Sequence, residues 1–453
     1  MLALGRTRRW AAGIAAALAL IVGFPTSAQA AVGDLVFVRT IAQNVSGAVD
    51  IGPVNPLDWA SAATLPGNGS TVYVVAGGGD GGSGTAQPAI STFRRAANDT
   101  LSLTGCMGGL AGCRPTKVNN EEIPGRLYAA SSVVAAGVHV YVSTPAAVVG
   151  FSTAANGDLV TDFCVWGPSC GSVAALPGLA PWATSQNALT ATADGRDLYL
   201  YAAGGGKGAV YHLRRDGTTG RLAYSGCIGE AMPGCTSIGR TGVMTSSGDV
   251  VVSADGRSLY VVAQRPGSVT HFRRDPTTGS LTEAGCVGES GVGGCAIPDT
   301  DGLLGITQGA ITQAGDSLYV SGPGGVTHLH RDTATGNIAY WGCIGYAAGC
   351  RATGPQGQYV DVAVSADGTS VYGSTQGPAF AWGAVTHLRR SAQGDLTYAG
   401  CIGEGLPQLC RPIGLTGVMN HAGPVLAPGS SQVVYSLGVH ARGAITQFTR
   451  MTS

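Results

Sequence analysis

The sequence predicts an all-β fold, a seven-bladed β-propeller with four antiparallel strands in each blade. The first observation behind this prediction is a repeat marked by twelve cysteines, which fall into six pairs whose first members recur every 57 to 63 residues. The sequence around four of the pairs is nearly the same, as in AGCVGESGVGGC at 284–295 and AGCIGEGLPQLC at 399–410. A period of this length indicates a repeat architecture.

The second observation is that each repeat holds four extended segments. In the fourth repeat they are residues 249–254, 258–263, 268–274 and 281–286, rich in Val, Tyr, Thr and Phe and separated by Asp-Gly and Pro-Thr-Thr-Gly turns. Such runs between turn residues are typical of strands joined as hairpins, and four antiparallel strands make a propeller blade. Counting blades by their second strand gives seven: Val72-Tyr73, Val140-Tyr141, Leu198-Tyr199, Leu259-Tyr260, Leu318-Tyr319, Val371-Tyr372 and Val434-Tyr435.

The seventh repeat has only three strands, the last at 443–450, and its fourth strand is predicted to come from the other end of the chain. Residues 33–38 (GDLVFV) match residues 394–399 (GDLTYA), and Arg39 and Thr40 stand where the pattern has Gly400 and Cys401. An N-terminal strand that completes the last blade closes the ring and removes exposed sheet edges. It also explains why seven blades carry six cysteine pairs.

Residues 1–30 resemble a cleaved export signal, so the propeller is assigned to residues 31–453. A basic start (Arg6, Arg8, Arg9) precedes an apolar stretch and the small-residue site Ala28-Gln29-Ala30. The apolar stretch is too short to span a bilayer and no longer one follows, so we expect a secreted, extracellular protein with no membrane span.

Cysteines in an exported chain are expected to be oxidised, and no pair has the C-x2-C spacing of a zinc site. Each bridge joining near neighbours would contribute roughly 2–3 kcal/mol by closing a short loop. The predicted disulfides are Cys106–Cys113, Cys164–Cys170, Cys227–Cys235, Cys286–Cys295, Cys343–Cys350 and Cys401–Cys410.

The charge balance argues against nucleic acid as a partner. The full chain has 26 basic and 26 acidic residues, and removing the predicted signal leaves 23 basic against 26 acidic. We therefore expect a small molecule or a glycan as the partner, and a monomer.

The repeated sequence motifs resemble those of a known family. The Ser-Ala-Asp-Gly turn, the Leu-Tyr-Val strand and the run VTHFRRDPTTGSLT at 269–282 are similar to YVTN-type, lactonase-like propellers, which include 6-phosphogluconolactonase and carboxymuconate-cyclising relatives. The resemblance covers residues 34–450 and implies the seven-bladed fold and lactone hydrolysis or its reverse. No catalytic motif of that family can be placed residue by residue here.

Residues that recur at one place in most blades are predicted to be architectural. Histidines share one position in the third strand of blades three to six: His212, His271, His328 and His387. A metal or proton relay is one interpretation of this row. A hydrogen-bonded histidine packed between blades is the favoured one, because the third strand lies away from the central channel.

Functional residues are instead sought in the loops between the fourth strand of one blade and the first strand of the next, where polar residues differ from blade to blade. The substrate-binding candidates there are Glu121, Glu122, Trp182, Asp301 and Gln358. The catalytic candidates are Arg126, Asp249, Asp361 and His421. Asp249 and Asp361 begin the innermost strands of blades two apart, and Gln308 takes the equivalent place between them. The two carboxylates could work as acid and base, share a cation, or anchor the inner strands. His421 is the histidine near the axis outside the repeated row.

Two functions of different class follow from these candidates. The first is a secreted hydrolase or lyase of lactonase-like type, acting on a small or sugar-derived substrate at the channel mouth. The second is a noncatalytic propeller whose loops bind a glycan, a cell-envelope component or a protein. No cofactor is evident, and a divalent cation in the central channel is compatible with the two carboxylates.

Overall fold

The computed structural model shows seven four-stranded sheets arranged as a ring. It describes residues 34–52, 55–66, 69–77, 88–118, 121–122, 127–145, 147–166, 176, 187–298, 300–354, 356–405, 409–429, 432–439 and 443–451. The predicted signal segment 1–30 lies outside this range. Within the described ranges, no helix reaches the length and apolar character needed to cross a bilayer.

Each blade is an antiparallel meander that runs from the channel to the rim. The N-terminal strand is β1 (Leu35–Ala42). The strands of blades one and two are β2 (Ala60–Thr64), β3 (Thr71–Ala76), β4 (Ala89–Arg95) and β5 (Leu101–Gly108), then β8 (Ser132–Ala136), β9 (His139–Thr144), β10 (Ala147–Thr153) and β11 (Leu159–Trp166), with the short hairpin β6 (Lys117–Val118) and β7 (Glu121–Glu122) between them.

Blades three to five follow the same order. Their strands are β12 (Ala188–Ala191), β13 (Asp197–Gly204), β14 (Lys207–Arg215), β15 (Leu222–Glu230) and the short β16 (Thr236–Ser237); β17 (Gly248–Val252), β18 (Ser258–Ala263), β19 (Ser268–Arg274) and β20 (Leu281–Gly288); and β21 (Gln308–Ile311), β22 (Ser317–Gly322), β23 (Gly325–Arg331) and β24 (Ile338–Gly345).

Blades six and seven complete the ring. Their strands are β25 (Gln358–Val364), β26 (Ser370–Gln376), β27 (Gly383–Arg390), β28 (Leu396–Glu404) and the short β29 (Arg411–Pro412), then β30 (Ala422–Leu426), β31 (Val433–Gly438) and β32 (Ala444–Arg450). Two short 3-10 segments, Glu289–Gly294 and Pro378–Phe380, lie in the loops of blades four and six.

The predicted closure of the ring is confirmed. Strand β1 pairs antiparallel with β32 as the outermost strand of blade seven, and Phe37 faces Phe448 with ring centroids 6.4 Å apart. The first strands contact one another around the ring in the order β2, β8, β12, β17, β21, β25, β30 and back to β2. The N-terminal strand therefore gives blade seven four strands, as in the other six blades.

Blades are joined to one another by a recurring hydrogen-bonded lock on the face opposite the long loops. The second-strand Tyr260 donates to the carbonyl of Gly336 in the outer hairpin of the next blade, at 2.6 Å. Arg331 of that next blade donates through Nε to the Tyr260 hydroxyl, at 2.6 Å, and through Nη2 to Asp255 Oδ2, at 2.9 Å. Tyr260 and Arg331 are buried, so their polar groups are out of contact with water. The hydrogen bonds of the lock replace the hydrogen bonds to water that these groups lose.

The same lock recurs around the ring. Tyrosine hydroxyls donate to hairpin carbonyls of the following blade in the pairs Tyr73 to Gly157, Tyr141 to Gly220, Tyr199 to Gly279, Tyr319 to Gly394, and Tyr435 to Asp99 across the seam. Arginines bind back to an aspartate of the preceding blade in the pairs Arg274 with Asp197, Arg390 with Asp316, and Arg450 with Asp367. In the Asp-Gly turns at 255 and 367 the turn carboxylate is the one that pairs with the arginine of the next blade.

The histidine row is packed between blades, as the favoured interpretation predicted. Each ring stacks on the second-strand tyrosine of its own blade, with centroids 4.8 to 5.3 Å apart. The outer hairpin of the next blade closes over the ring with a glycine: a Cβ on Gly394 would lie 2.3 Å from His328 Cε1. Glycine is required there both by this contact and by its φ of +91°.

Five of the six predicted disulfides are formed, and all five share one geometry: Cys106–Cys113, Cys227–Cys235, Cys286–Cys295, Cys343–Cys350 and Cys401–Cys410. The predicted pair Cys164–Cys170 lies outside the described residues. In each staple the residue after the second cysteine pairs in parallel with the residue after the first, as Val287 does with Ala296. At the seam, Ile41 and Val49 form the same parallel bridge with Thr40 in the cysteine position.

A glutamate three residues after the first cysteine provides a second clamp on the long loops. The buried carboxylate of Glu404 accepts backbone N–H groups from Gly417, Val418, Met419 and Asn420 at 3.0 to 3.2 Å. The corresponding carboxylate in blade three is Glu230, which accepts from Gly242, Val243 and Met244. The glutamate of the repeated Cys-x-Gly-Glu motif therefore fixes the segment that leads into the next inner strand.

The histidine row predicts a specific pH dependence of stability. Burial lowers the pKa of His328 to about 4, and neither of its ring nitrogens has a hydrogen-bond partner. The His328 side chain therefore takes up a proton near pH 6.5 in the unfolded chain but only near pH 4 in the folded protein. The folded state consequently loses stability as pH falls from about 6.5 towards 4.

We expect His328→Phe to remove this penalty. The variant should match the wild type near pH 7.5 and become progressively more stable than it as pH falls, by at most about 1.4 kcal/mol per pH unit. Urea unfolding at several pH values measures this difference. Leu329→Val, at the buried non-titrating neighbour in the same strand, is the control, and its difference from the wild type should not change with pH. A constant difference at all pH values would contradict the assignment.

Candidate active site at the mouth of the central channel

A cavity of about 640 Å³ opens where the first strands of the blades begin. First strands of all seven blades contribute to its wall, so the cavity lies on the ring axis. Three of the four catalytic candidates line it together: Asp249, Asp361 and His421. Gln308, predicted to be equivalent to the two aspartates, lines it as well.

The two aspartates also hold neighbouring inner strands together. Asp249 accepts from the backbone N–H of Gly309 in blade five, at 3.1 Å, and Asp361 accepts from Val425 in blade seven, at 2.7 Å. The second oxygen of each carboxylate accepts the N–H of the residue that follows it, at 2.8 Å. The anchoring role considered from the sequence is therefore real, and it fixes both carboxyl groups at the cavity wall.

Burial makes both carboxyl groups unusually weak acids. Desolvation raises the pKa of Asp249 to about 6, against two backbone hydrogen bonds that lower it. Desolvation likewise raises the pKa of Asp361 to about 7, and the negative charge of Asp249 adds to the increase. Carboxyl groups that titrate near neutrality inside a cavity are typical of functional sites.

His421 belongs to an aromatic cluster at the rim of the cavity. Its ring stacks on Phe380, with centroids 3.8 Å apart and planes 7° from parallel, and it meets the Trp59 ring edge to face at 6.2 Å. Trp59 itself lines the cavity. Trp59 comes from the loop before β2 and Phe380 from the β26–β27 loop, and sequence reasoning identified neither.

The backbone of this aromatic cluster is in an unfavourable region. Trp59, Phe380 and His421 have φ of 60°, 58° and 58°, and Ala379 beside Phe380 has φ 50°. For bulky residues this left-handed conformation is uncommon and costs free energy, and it tends to be retained at functional sites. The cluster joins blades six, seven and one.

The inner strands of the same three blades carry register shifts. They fall between Ala60 and Ala62 in β2, between Tyr359 and Asp361 in β25, and between Ala422 and Val425 in β30. A β-bulge redirects side chains and is common beside active sites. In β25 the shift immediately precedes Asp361, so the sector of the ring that holds Asp361 and His421 departs from the repeat, whereas Asp249 lies in the regular strand β17.

Two buried amide side chains complete the polar wall. Asn187 donates through Nδ2 to the carbonyl of Thr144, at 3.0 Å, and Gln376 donates to Gln358 Oε1, at 3.4 Å. The carbonyl oxygens of Asn187 and Gln376 are buried and accept no hydrogen bond. Both residues line the cavity and are at least nine-tenths buried.

The remaining candidates lie elsewhere. Asp301 is exposed on the loop before β21, and Gln358 is exposed at the start of β25, where it reaches the cavity only through Gln376. Glu121 and Glu122 form the short strand β7, and their side chains lie outside the described residues. Arg126 and Trp182 also lie outside them.

The cavity wall is acidic. Among the described lining residues there are two aspartates and one histidine, and none is Lys or Arg. No group of three or more His, Cys, Asp or Glu side chains that could hold a metal ion occurs in the described part of the chain.

Comparison with solved structures confirms the resemblance in fold to lactonase-like propellers. The periplasmic gluconolactonase PpgL of Pseudomonas aeruginosa superposes with a TM-score of 0.50 at 17% identity, over 76% of this chain and 85% of that one. A Bacteroides fragilis protein named as a 6-phosphogluconolactonase candidate gives 0.50 at 16% identity, over 75% and 82%.

A propeller of another kind superposes equally well. The β-propeller domain of Cps50 (Swd1) from Myceliophteria thermophila gives a TM-score of 0.51 at 10% identity, over 88% of this chain and 99% of that one. Neither a family model nor a curated protein matches the sequence. At these identities the similarity establishes the propeller fold and leaves the activity to be argued from the cavity.

The electrostatics of the site can be tested without a substrate. In carboxyl-carbon NMR titrations we expect Asp361 to titrate near pH 7 and Asp249 near pH 6. Asp249→Asn should lower the pKa of Asp361, because it removes the neighbouring negative charge. Asp395→Asn, in the turn between β27 and β28 of blade six, is the control and should leave both midpoints unchanged. Midpoints near 4 for both residues would refute the assignment.

Proposed function

We propose that this protein is an exported hydrolase of lactonase-like type, acting at the channel mouth on a small, sugar-derived substrate. The observation that carries the proposal is the pair of half-buried carboxyl groups, Asp249 and Asp361, in one cavity with His421. Export is supported by the disulfides, which form in oxidising compartments, and by the signal-like N-terminus. A monomer is part of the proposal.

The two carboxyl groups suit complementary roles because their pKa values differ. Between about pH 6 and 7, Asp249 is ionised and Asp361 retains its proton. Asp249 would then accept a proton from the attacking water as its oxygen bonds to the lactone carbonyl carbon. Asp361 would give its proton to the ring oxygen as the C–O bond breaks, yielding a hydroxy acid, and exchange with solvent restores both groups.

His421 would contribute a hydrogen bond to the carbonyl oxygen, where negative charge develops in the transition state. Its stacking on Phe380 and its edge contact with Trp59 hold the ring in one orientation. Asn187 and Gln376 would accept hydrogen bonds from substrate hydroxyl groups. The absence of Lys and Arg among the described lining residues argues against a phosphorylated substrate.

A noncatalytic propeller that binds a glycan or cell-envelope component is the second candidate. It is favoured by one observation: both carboxylates of Asp249 and Asp361 are already engaged by backbone N–H groups, as a purely structural anchor would be. Binding without turnover would support it.

The proposal predicts turnover of neutral lactones with a narrow, bell-shaped pH profile of kcat/KM that peaks between about pH 6 and 7. Activity should fall below this range as Asp249 is protonated and above it as Asp361 ionises. Asp361→Asn and Asp249→Asn should each reduce kcat roughly 100-fold or more, as expected for loss of a general acid or base. Assays across neutral lactones and aryl esters test this directly.

The control Asp395→Asn should retain full activity, and thermal unfolding should show that all variants fold. His421→Gln should reduce kcat more than it raises KM. No turnover of any neutral lactone or ester by the folded wild type, or equal rates in Asp361→Asn, would reject the catalytic assignment.

A further inference from the structure

The cavity has an unbalanced charge. Its described wall carries the carboxyl groups of Asp249 and Asp361, and its described lining contains no lysine or arginine to pair with them. Elsewhere in the same ring the buried Asp197 pairs with Arg274 and the half-buried Asp316 with Arg390, whereas the buried Glu404 accepts four backbone N–H groups. Two carboxylates exposed to one cavity without a cation are costly to ionise, and a cation from outside would remove that cost.

The polar wall also has an excess of acceptors. Asn187 and Gln376 are 1% and 5% exposed, and the amide oxygens of both lack a donor. Each amide group is held in place through its nitrogen, to Thr144 and to Gln358. Buried acceptors that have no donor among the described residues favour a ligand that brings hydrogen-bond donor groups.

An aromatic surface completes the environment. Trp59 lines the cavity, and its position is fixed by the edge contact with His421 and by a backbone bond to the carbonyl of Val439, at 3.0 Å. Tryptophan is the aromatic side chain that attracts cations most strongly. Carboxylates, unfilled acceptors and an indole ring thus converge on one space.

We propose that this cavity binds a small organic cation, an ammonium group carried by the substrate or ligand. The positive charge would lie between the carboxylates of Asp249 and Asp361, with Trp59 as a cation–π surface. The inference rests on the proposed function only for the place of the ligand, and it would make amine-bearing molecules better substrates of that hydrolase than neutral ones.

Calorimetry with two isosteric probes tests the charge alone. Choline and 3,3-dimethyl-1-butanol share shape and hydroxyl group and differ in the ammonium centre. At about pH 8, above the pKa of both carboxyl groups, the wild type should bind choline roughly tenfold or more tightly than the alcohol. Asp361→Asn and Trp59→Leu should each remove most of that preference, and Asp395→Asn should retain it.

The preference of the wild type keeps the test decisive if a site variant fails to fold. Equal affinity for the two probes, or binding of neither, would overturn the inference. So would saturation of the cavity by Mg²⁺ or Ca²⁺ with no response to choline, which would assign it to a metal ion. Turnover of neutral lactones that choline does not inhibit would remove this inference and keep the proposed function. Choline binding without turnover of any ester would do the reverse.

Discussion

The lock between the second-strand tyrosine of one blade and the outer hairpin of the next is the interaction on which the ring depends. Both faces of a four-stranded blade are apolar, so each face must be covered by the neighbouring blade. In that contact the tyrosine hydroxyl, the hairpin carbonyl and the arginine of the next blade are hydrogen-bonded to one another. Tyr260, Gly336 and Arg331 show the pattern. The ring closes only because β1 gives blade seven a fourth strand.

This requirement explains why the most conspicuous chemical residues of the repeat serve packing. A histidine row suggests metal binding or proton transfer, yet each imidazole is stacked on a tyrosine, and a glycine of the next blade covers three of the four, as Gly394 covers His328. Burial lowers the pKa of His271, His328 and His387, so these three stay neutral at pH 7. Chemistry is left to positions that differ between blades, and these are concentrated where three inner strands carry bulges.

Much of the fold could be predicted from the sequence because the blade pattern recurs in seven repeats. Strand positions, the closing strand at 33–38 and the cysteine pairing all follow from comparing one repeat with another, and Ser258–Ala263 and Ser268–Arg274 have the predicted bounds. Asp249, Asp361 and His421 could be placed near the axis by counting from the turns. Trp59 and Phe380 could not, because their positions depend on left-handed backbone that no repeat pattern encodes. Asn187 lies just before an inner strand and Gln376 at the end of a second strand, and the count from the turns reaches neither.

Position in the sheet also explains how one carboxyl group can be both an anchor and a titrating group. Asp361 lies in the middle of an inner strand just after a bulge, where it accepts the Val425 N–H and also lines the cavity. Two backbone donors favour the ionised form, but desolvation and the neighbouring charge of Asp249 outweigh them. A carboxyl group fixed in this way cannot rotate away from its unfavourable surroundings. The rigidity of the ring therefore keeps the pKa of Asp361 raised. For the same reason, binding of a proton or another cation in the cavity remains favourable.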